Sequence, residues 1–166
     1  SDLFQLQLGP PTRLEPLLQT SFAERSAEIS PDRRWLAYQS TESGRFEIYV
    51  RRANVVSNER WLVSSGGGQH ARWGPDSREL FYAEPERGLM RVAVEAGVEW
   101  KAGTPMRLFG PPYLWTIPNF GGRLYDISPD GQRFLVLKSV DTPQPSTIVV
   151  VQNWFENLTR RAPIPR

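Results

Sequence analysis

A chain of 166 residues is long enough for one domain with a sizeable core. Charged residues make up 23% and aromatics 11%, which excludes a disordered composition, and a net charge of +2 with no basic block gives no reason to expect nucleic acid as a partner. There is no cysteine, so disulfides and thiolate metal sites are excluded. No stretch approaches the roughly 18 apolar residues that span a bilayer, so membrane insertion is not expected.

In chain order, the first predicted elements are two short strands, DLFQLQL (2–8) and RLEPLLQT (13–20). SAEIS (26–30) then leads through Ser30-Pro31-Asp32 into the apolar block Trp35-Leu36-Ala37-Tyr38. In RFEIYVRR (45–52), Phe46, Ile48 and Val50 alternate with Glu47, Tyr49 and Arg51, so period two predicts a half-exposed strand. RWLVSS (60–65) supplies a fourth strand before a triple glycine.

The pattern then repeats. HARWG (70–74), Gly74-Pro75-Asp76, Leu80-Phe81-Tyr82, GLMRVAVE (88–95) and MRLFG (106–110) fill the same slots. A third copy has LYDIS (124–128), Ser128-Pro129-Asp130, Phe134-Leu135-Val136-Leu137 and STIVVVQNW (146–154), with Trp154 and Phe155 read as a clasp on the last unit. The prolines are 44 and then 54 positions apart, a spacing that marks an array of supersecondary units.

The repeated turn has a mechanism. Proline presets φ for the second position of a β-turn, and the Asp carboxylate accepts nearby backbone N–H groups. Gly131 suits a left-handed position after the third Pro-Asp, whereas the other copies carry Arg33 and Ser77 there, so those turns must avoid positive φ or bear the strain. Turn chemistry accounts for all three aspartates.

The second strand of each unit is nearly all apolar and the third alternates, which predicts sheets graded from a buried inner edge to a wetter outer one. The fold class expected is all-β: propeller blades of four antiparallel strands, about three blades preceded by two leading strands. The expected boundaries are 1–22 for the outer strands of a preceding blade, 23–66, 67–110 and 111–158 for the blades, and 159–166 for a tail. An immunoglobulin-like sandwich does not account for three copies of one turn.

AEISPDRRWLAYQSTESGRFEIYVRR, GGGQHARWGPDSRELFY and YDISPDGQRFLVLK resemble the repeats of TolB-like β-propellers, in particular the propeller that follows the kinase domain in many bacterial serine/threonine protein kinases. The terminal IVVVQNWFENLTRR is similar to the way such chains end. The resemblance implies a non-enzymatic recognition, sensor or protein-interaction module. It also implies a periplasmic or extracytoplasmic setting if the chain belongs to a receptor-type kinase or TolB-like system. No Gly-rich phosphate loop, His-Arg-Asp loop or Gly-x-Ser-x-Gly elbow is present, so kinase and peptidase activities are not carried over, and no cofactor is expected.

Propellers have four to eight blades, and about three leave apolar blade faces uncovered. Two chains joining as half-rings into a six-bladed homodimer, a piece of a longer polypeptide, or a compact distorted unit each answer this.

The candidate ligand residues lie on the first strands, where Glu28, Arg72 and Asp126 fall at one equivalent position; they either pair with one another or bind a polar ligand. Arg25, Gln69, His70 and Arg123 fall where the chain leads into these strands and are recognition candidates. A single histidine with no cysteine builds no zinc site. The long insertion GPPYLWTIPNFGGR (110–123) carries Tyr113, Trp115 and Phe120, which serve as a plug or dimer contact or meet a protein or glycan partner. The competing function is a purely structural assembly unit with no dedicated ligand.

Overall fold

The computed structural model describes residues 1–54, 58–95, 97–111, 113 and 122–138, and the expected strand at 146–154 with its Trp154–Phe155 clasp lies outside them. Among the described residues the chain is all-β with no helix. Strands β1 (Leu3–Gln7) and β2 (Arg13–Leu18) form a lone antiparallel hairpin. Strands β3 (Glu24–Ile29), β4 (Trp35–Ser40), β5 (Glu47–Arg52) and β6 (Trp61–Leu62) make a four-stranded antiparallel sheet in sequence order. A second such sheet is built from β7 (Gln69–Trp73), β8 (Glu79–Glu84), β9 (Gly88–Ala93) and β10 (Met106–Phe109). Among the described residues a third sheet is the antiparallel pair β11 (Tyr125–Ile127) and β12 (Phe134–Val136).

Strand periodicity explains how these pieces stack. Alternate residues of β4 point to opposite faces. Trp35 and Ala37, with Ile48 and Val50 of β5, meet Ala71, Trp73, Leu80, Tyr82, Met90 and Val92 of the second sheet. Leu36 and Tyr38, with Tyr49, instead meet Leu3, Leu17 and Leu18 of the hairpin. Phe81, Ala83 and Leu89 leave the second sheet on its far side to pack on Tyr125, Ile127, Phe134 and Val136. Hairpin, first sheet, second sheet and third sheet are therefore stacked in chain order. Burying each large side chain of these clusters is worth roughly 1.5–3 kcal/mol.

Tryptophans wall the interface between the two four-stranded sheets. Trp35 meets Trp61 edge-on at 5.6 Å and Trp100 at 5.3 Å, while Trp100 also touches Trp73 at 6.1 Å. Such edge-to-face pairs add about 0.5–1.5 kcal/mol each beyond area burial.

The expected gradient across each sheet is corrected in one respect. Strand β5 is buried on both faces rather than half-exposed, because the hairpin covers Tyr49 and the charges find partners. Glu47 accepts from Arg45 Nε at 2.8 Å and from the Gly67 N–H at 2.9 Å, and also from the Ser64 hydroxyl. Solvent instead reaches the first strand, since Arg25, Ser26 and Ala27 of β3 are exposed. The sheets are driest in the middle.

All three Pro-Asp turns are one structure. Arg33, Ser77 and Gly131 have φ of 62°, 62° and 70°, so the two non-glycine copies bear the left-handed conformation rather than avoid it. Their N–H groups donate to the carbonyls of Ser30, Gly74 and Ser128 at 2.8, 3.0 and 2.8 Å. The Asp32, Asp76 and Asp130 carboxylates accept from the backbone N–H groups of Arg34, Arg78 and Gln132 at 3.1, 2.9 and 3.0 Å. Hydrogen bonds from Ser128 and from the Gln132 N–H hold the Asp130 carboxyl below its ordinary value.

Successive turns also touch. The Asp32 N–H donates to Ser77 Oγ at 3.0 Å, and a Cβ placed on Gly131 would lie 3.4 Å from Pro75 Cδ. The left-handed residues of the second and third turns, Ser77 and Gly131, thus rest on the turn before them.

Candidate functional site

Among the described residues the first strands of the three sheets, β3, β7 and β11, are edge strands, and the outer side of β3 is met at its start by Ser1, whose carbonyl accepts from the Glu24 N–H at 2.8 Å. Glu28 stands opposite Ala37, Arg72 opposite Phe81, and Asp126 opposite Leu135, so the three charges occupy one register position in three copies of a hairpin. The equivalence expected from the Pro-Asp spacing holds in the backbone pairing.

Strand β7 packs on β3, and this brings Glu28 and Arg72 together as an ion pair with both side chains largely buried. Glu28 Oε1 also accepts from the Trp73 N–H at 3.3 Å, and the Glu28 carbonyl accepts from Trp73 Nε1 at 3.1 Å. Arg72 Nε is buried and has no acceptor. Burial, reinforced by Arg123, pulls the Arg72 guanidinium below its ordinary value against the opposing pull of Tyr125 and Asp126. An arginine remains charged regardless. Asp126 lies apart from the buried pair: it is exposed, with its carboxylate 3.6 Å from Arg123 Nη1 and accepting from the Ile127 N–H at 3.0 Å.

A backbone irregularity recurs just upstream. Pairing shifts between Arg25 and Glu28 and again between Gln69 and Arg72, and at these bulges Ser26 and His70 have φ of 52° and 55°. His70 is half-buried; its N–H donates to Gln39 Oε1 at 3.2 Å and its carbonyl accepts from Tyr125 Oη at 2.7 Å. Burial first, then the charge of Arg25, lowers the His70 imidazole below its usual value, so it is neutral at pH 7. The Arg25 guanidinium lies 3.8 Å over the Phe46 ring. Gln69, Phe46 and Glu86 border a rim cleft of about 620 Å³ between the two four-stranded sheets.

Gln39 was not singled out by the sequence. Its signal is a polar residue inside the apolar run WLAYQS; it is fully buried, and its Nε2 has no acceptor. Tyr113 packs against the Phe81–Tyr125 cluster and bridges to Lys138, whereas Trp115 and Phe120 lie outside the described residues. Among the described residues no group of three or more histidine, aspartate or glutamate side chains is placed to hold a metal ion.

No protein-family model matches this chain, and comparison with curated proteins finds no match.

Proposed function

We propose that this chain is a TolB-like propeller module that recognises a polar ligand or peptide and catalyses no reaction. One observation carries the reading: three edge strands present Glu28, Arg72 and Asp126 at a single register, beside a buried Arg72 Nε that lacks an acceptor. A buried donor without an acceptor costs about 1–3 kcal/mol, which a ligand carbonyl or carboxylate at this edge recovers. Face-to-face stacking with turns at matching corners is the arrangement blades adopt around an axis. In this reading two copies close a six-bladed ring, and exposed Phe4, Leu6 and Leu14 on the hairpin and Leu135 on β12 are surfaces for the second copy.

A purely structural assembly unit is the second reading, favoured by the Glu28–Arg72 pair, which uses two of the three charges on each other. A thermal-shift panel of carboxylates, peptides and polar metabolites separates them. Recognition predicts stabilisation by at least one probe that Arg72→Glu abolishes; no shift across the panel leaves the structural unit. Light scattering tests the ring, which requires a mass near twice the chain's 19.0 kDa, and a well-folded monomer ends that part of the proposal.

A further inference from the structure

A second cleft, of about 210 Å³, opens at the rim between the β1–β2 hairpin and the first four-stranded sheet, with Leu18, Phe22, Glu24, Tyr38, Glu42 and Arg60 among its lining residues. It lies at the start of β3, on the hairpin side of the first sheet, away from the Glu28–Arg72 pair between the two four-stranded sheets. Glu24 is its unusual member. The residue is only 2% exposed; one carboxylate oxygen accepts from the Thr20 hydroxyl, and the other is buried with no hydrogen-bond donor. A buried carboxylate without a compensating partner is costly, and natural sequences retain one where it has a task.

The repeat sharpens the point. Aligned on Pro31, Pro75 and Pro129, Glu24 stands where the other copies carry Gly68 and Gly122. At Gly68 a Cβ would fall 2.4 Å from Ser64 Oγ and 2.7 Å from Ile48 Cγ1, so that copy has no room for a side chain. The second sheet keeps a buried acid nearby, Glu84, but supplies its own cation in Arg87, 3.5 Å away. In the first unit the position of Glu84 is taken by Ser40, and the acid has moved to the cleft wall.

The rest of the lining suits a positive guest. Arg60 is committed to Glu42, with Nε 2.6 Å from Oε2, and that pairing holds the Glu42 carboxyl below its usual range. Arg51, also on the wall, donates to the Leu17 carbonyl at 3.5 Å. Phe22, 38% exposed, offers an aromatic face to a cation, and the buried Tyr38, whose phenol burial pushes up to about 12, lines the cleft as a neutral group. Leu18 gives an apolar seat for a short alkyl stem.

We infer that this cleft binds an alkylammonium group, with the ammonium against the Glu24 carboxylate and the stem against Leu18, Phe22 and Tyr38. Two sources carry that chemistry, a free amine and a lysine side chain. The test is an NMR titration of the full chain with 1,4-butanediamine, with an acetylated, amidated glycine-lysine-glycine peptide, and with 1-pentanol as the neutral control. The expected result is saturable shifts at Phe22, Glu24, Tyr38 and Arg60 with a dissociation constant on the order of millimolar, and none with the alcohol. Glu24→Gln should weaken binding at least about tenfold, a difference of 1.4 kcal/mol. Saturation by the diamine alone assigns the site to free amines; saturation by the peptide as well assigns it to a lysine side chain. If Glu24→Gln does not fold, Glu24→Gly, the residue of the other two copies, serves instead, and Phe22→Ala on the exposed rim should also weaken binding. The inference is overturned by the absence of saturation in the wild-type chain, by equal binding of the alcohol, or by unchanged binding in the Glu24 variants.

Discussion

The first four-stranded sheet is covered on both faces, but by unequal partners. Toward the second sheet it closes a dry interface in which four tryptophans and the side chains of β4, β5, β7, β8 and β9 interlock. Toward the hairpin it buries Leu36, Tyr38 and Tyr49 beneath only two strands, which carry Phe4, Leu6 and Leu14 exposed on their own surface. Identical stacking chemistry thus gives a closed core where four strands meet four. Where two meet four, the middle is dry and the rim retains a polar cleft.

The largest effect should come from truncating the tryptophan wall. Trp35→Ala should cost about 3–5 kcal/mol, whereas Leu3→Ala on the hairpin side, at a half-buried site, should cost about 1 kcal/mol. Urea denaturation of both variants measures this, and equal costs would erase the distinction between the interfaces. A smaller effect is expected at the turns, whose contacts belong to the tight side. Arg33→Gly should stabilise by about 1 kcal/mol because φ is 62° there, and Gly131→Ala should lose about as much by the same physics. Opposite shifts in melting temperature are the readout.

The smallest effect is a pH dependence confined to the tight side, where the only histidine lies. His70 has its folded pKa below its unfolded one, so the unfolded chain binds more protons as pH falls through the usual histidine range. Stability is fully present above that range and is lost on acidification toward the lowered value. His70→Gln should flatten the profile there while leaving the steeper acid limb due to carboxylates, as measured by urea midpoints across pH.

Much of this architecture was legible in the chain. The Pro-Asp turns, the apolar blocks and period-two alternation located the strands of the first two sheets to within a few residues, because turn chemistry and pleating are local properties. The equivalence of Glu28, Arg72 and Asp126 was legible for the same reason. What alternation failed to convey was the burial of Glu47, Tyr49 and Arg51: a polar residue on a strand reads as exposed until its cross-sheet partner is known, and Ser64, Gly67 and the hairpin are distant in sequence. The Glu28–Arg72 pairing and the Tyr125 hold on His70 are likewise products of stacking, separated by 44 and 55 positions. The left-handed Ser77 shows a tertiary contact prevailing over a local preference, since it is held by the neighbouring turn.

That chain of touching turns makes one margin of the molecule conservative. Where each corner is the seat of the next, a lengthened loop displaces its neighbour as well as itself, so change along that margin is coupled from unit to unit. The opposite margin is joined by other contacts, the Glu24 N–H on the Ser1 carbonyl and the His70 N–H on Gln39 Oε1. Both clefts open among its loops, and there a single replacement, glutamate for glycine, gives one unit a chemistry its siblings lack.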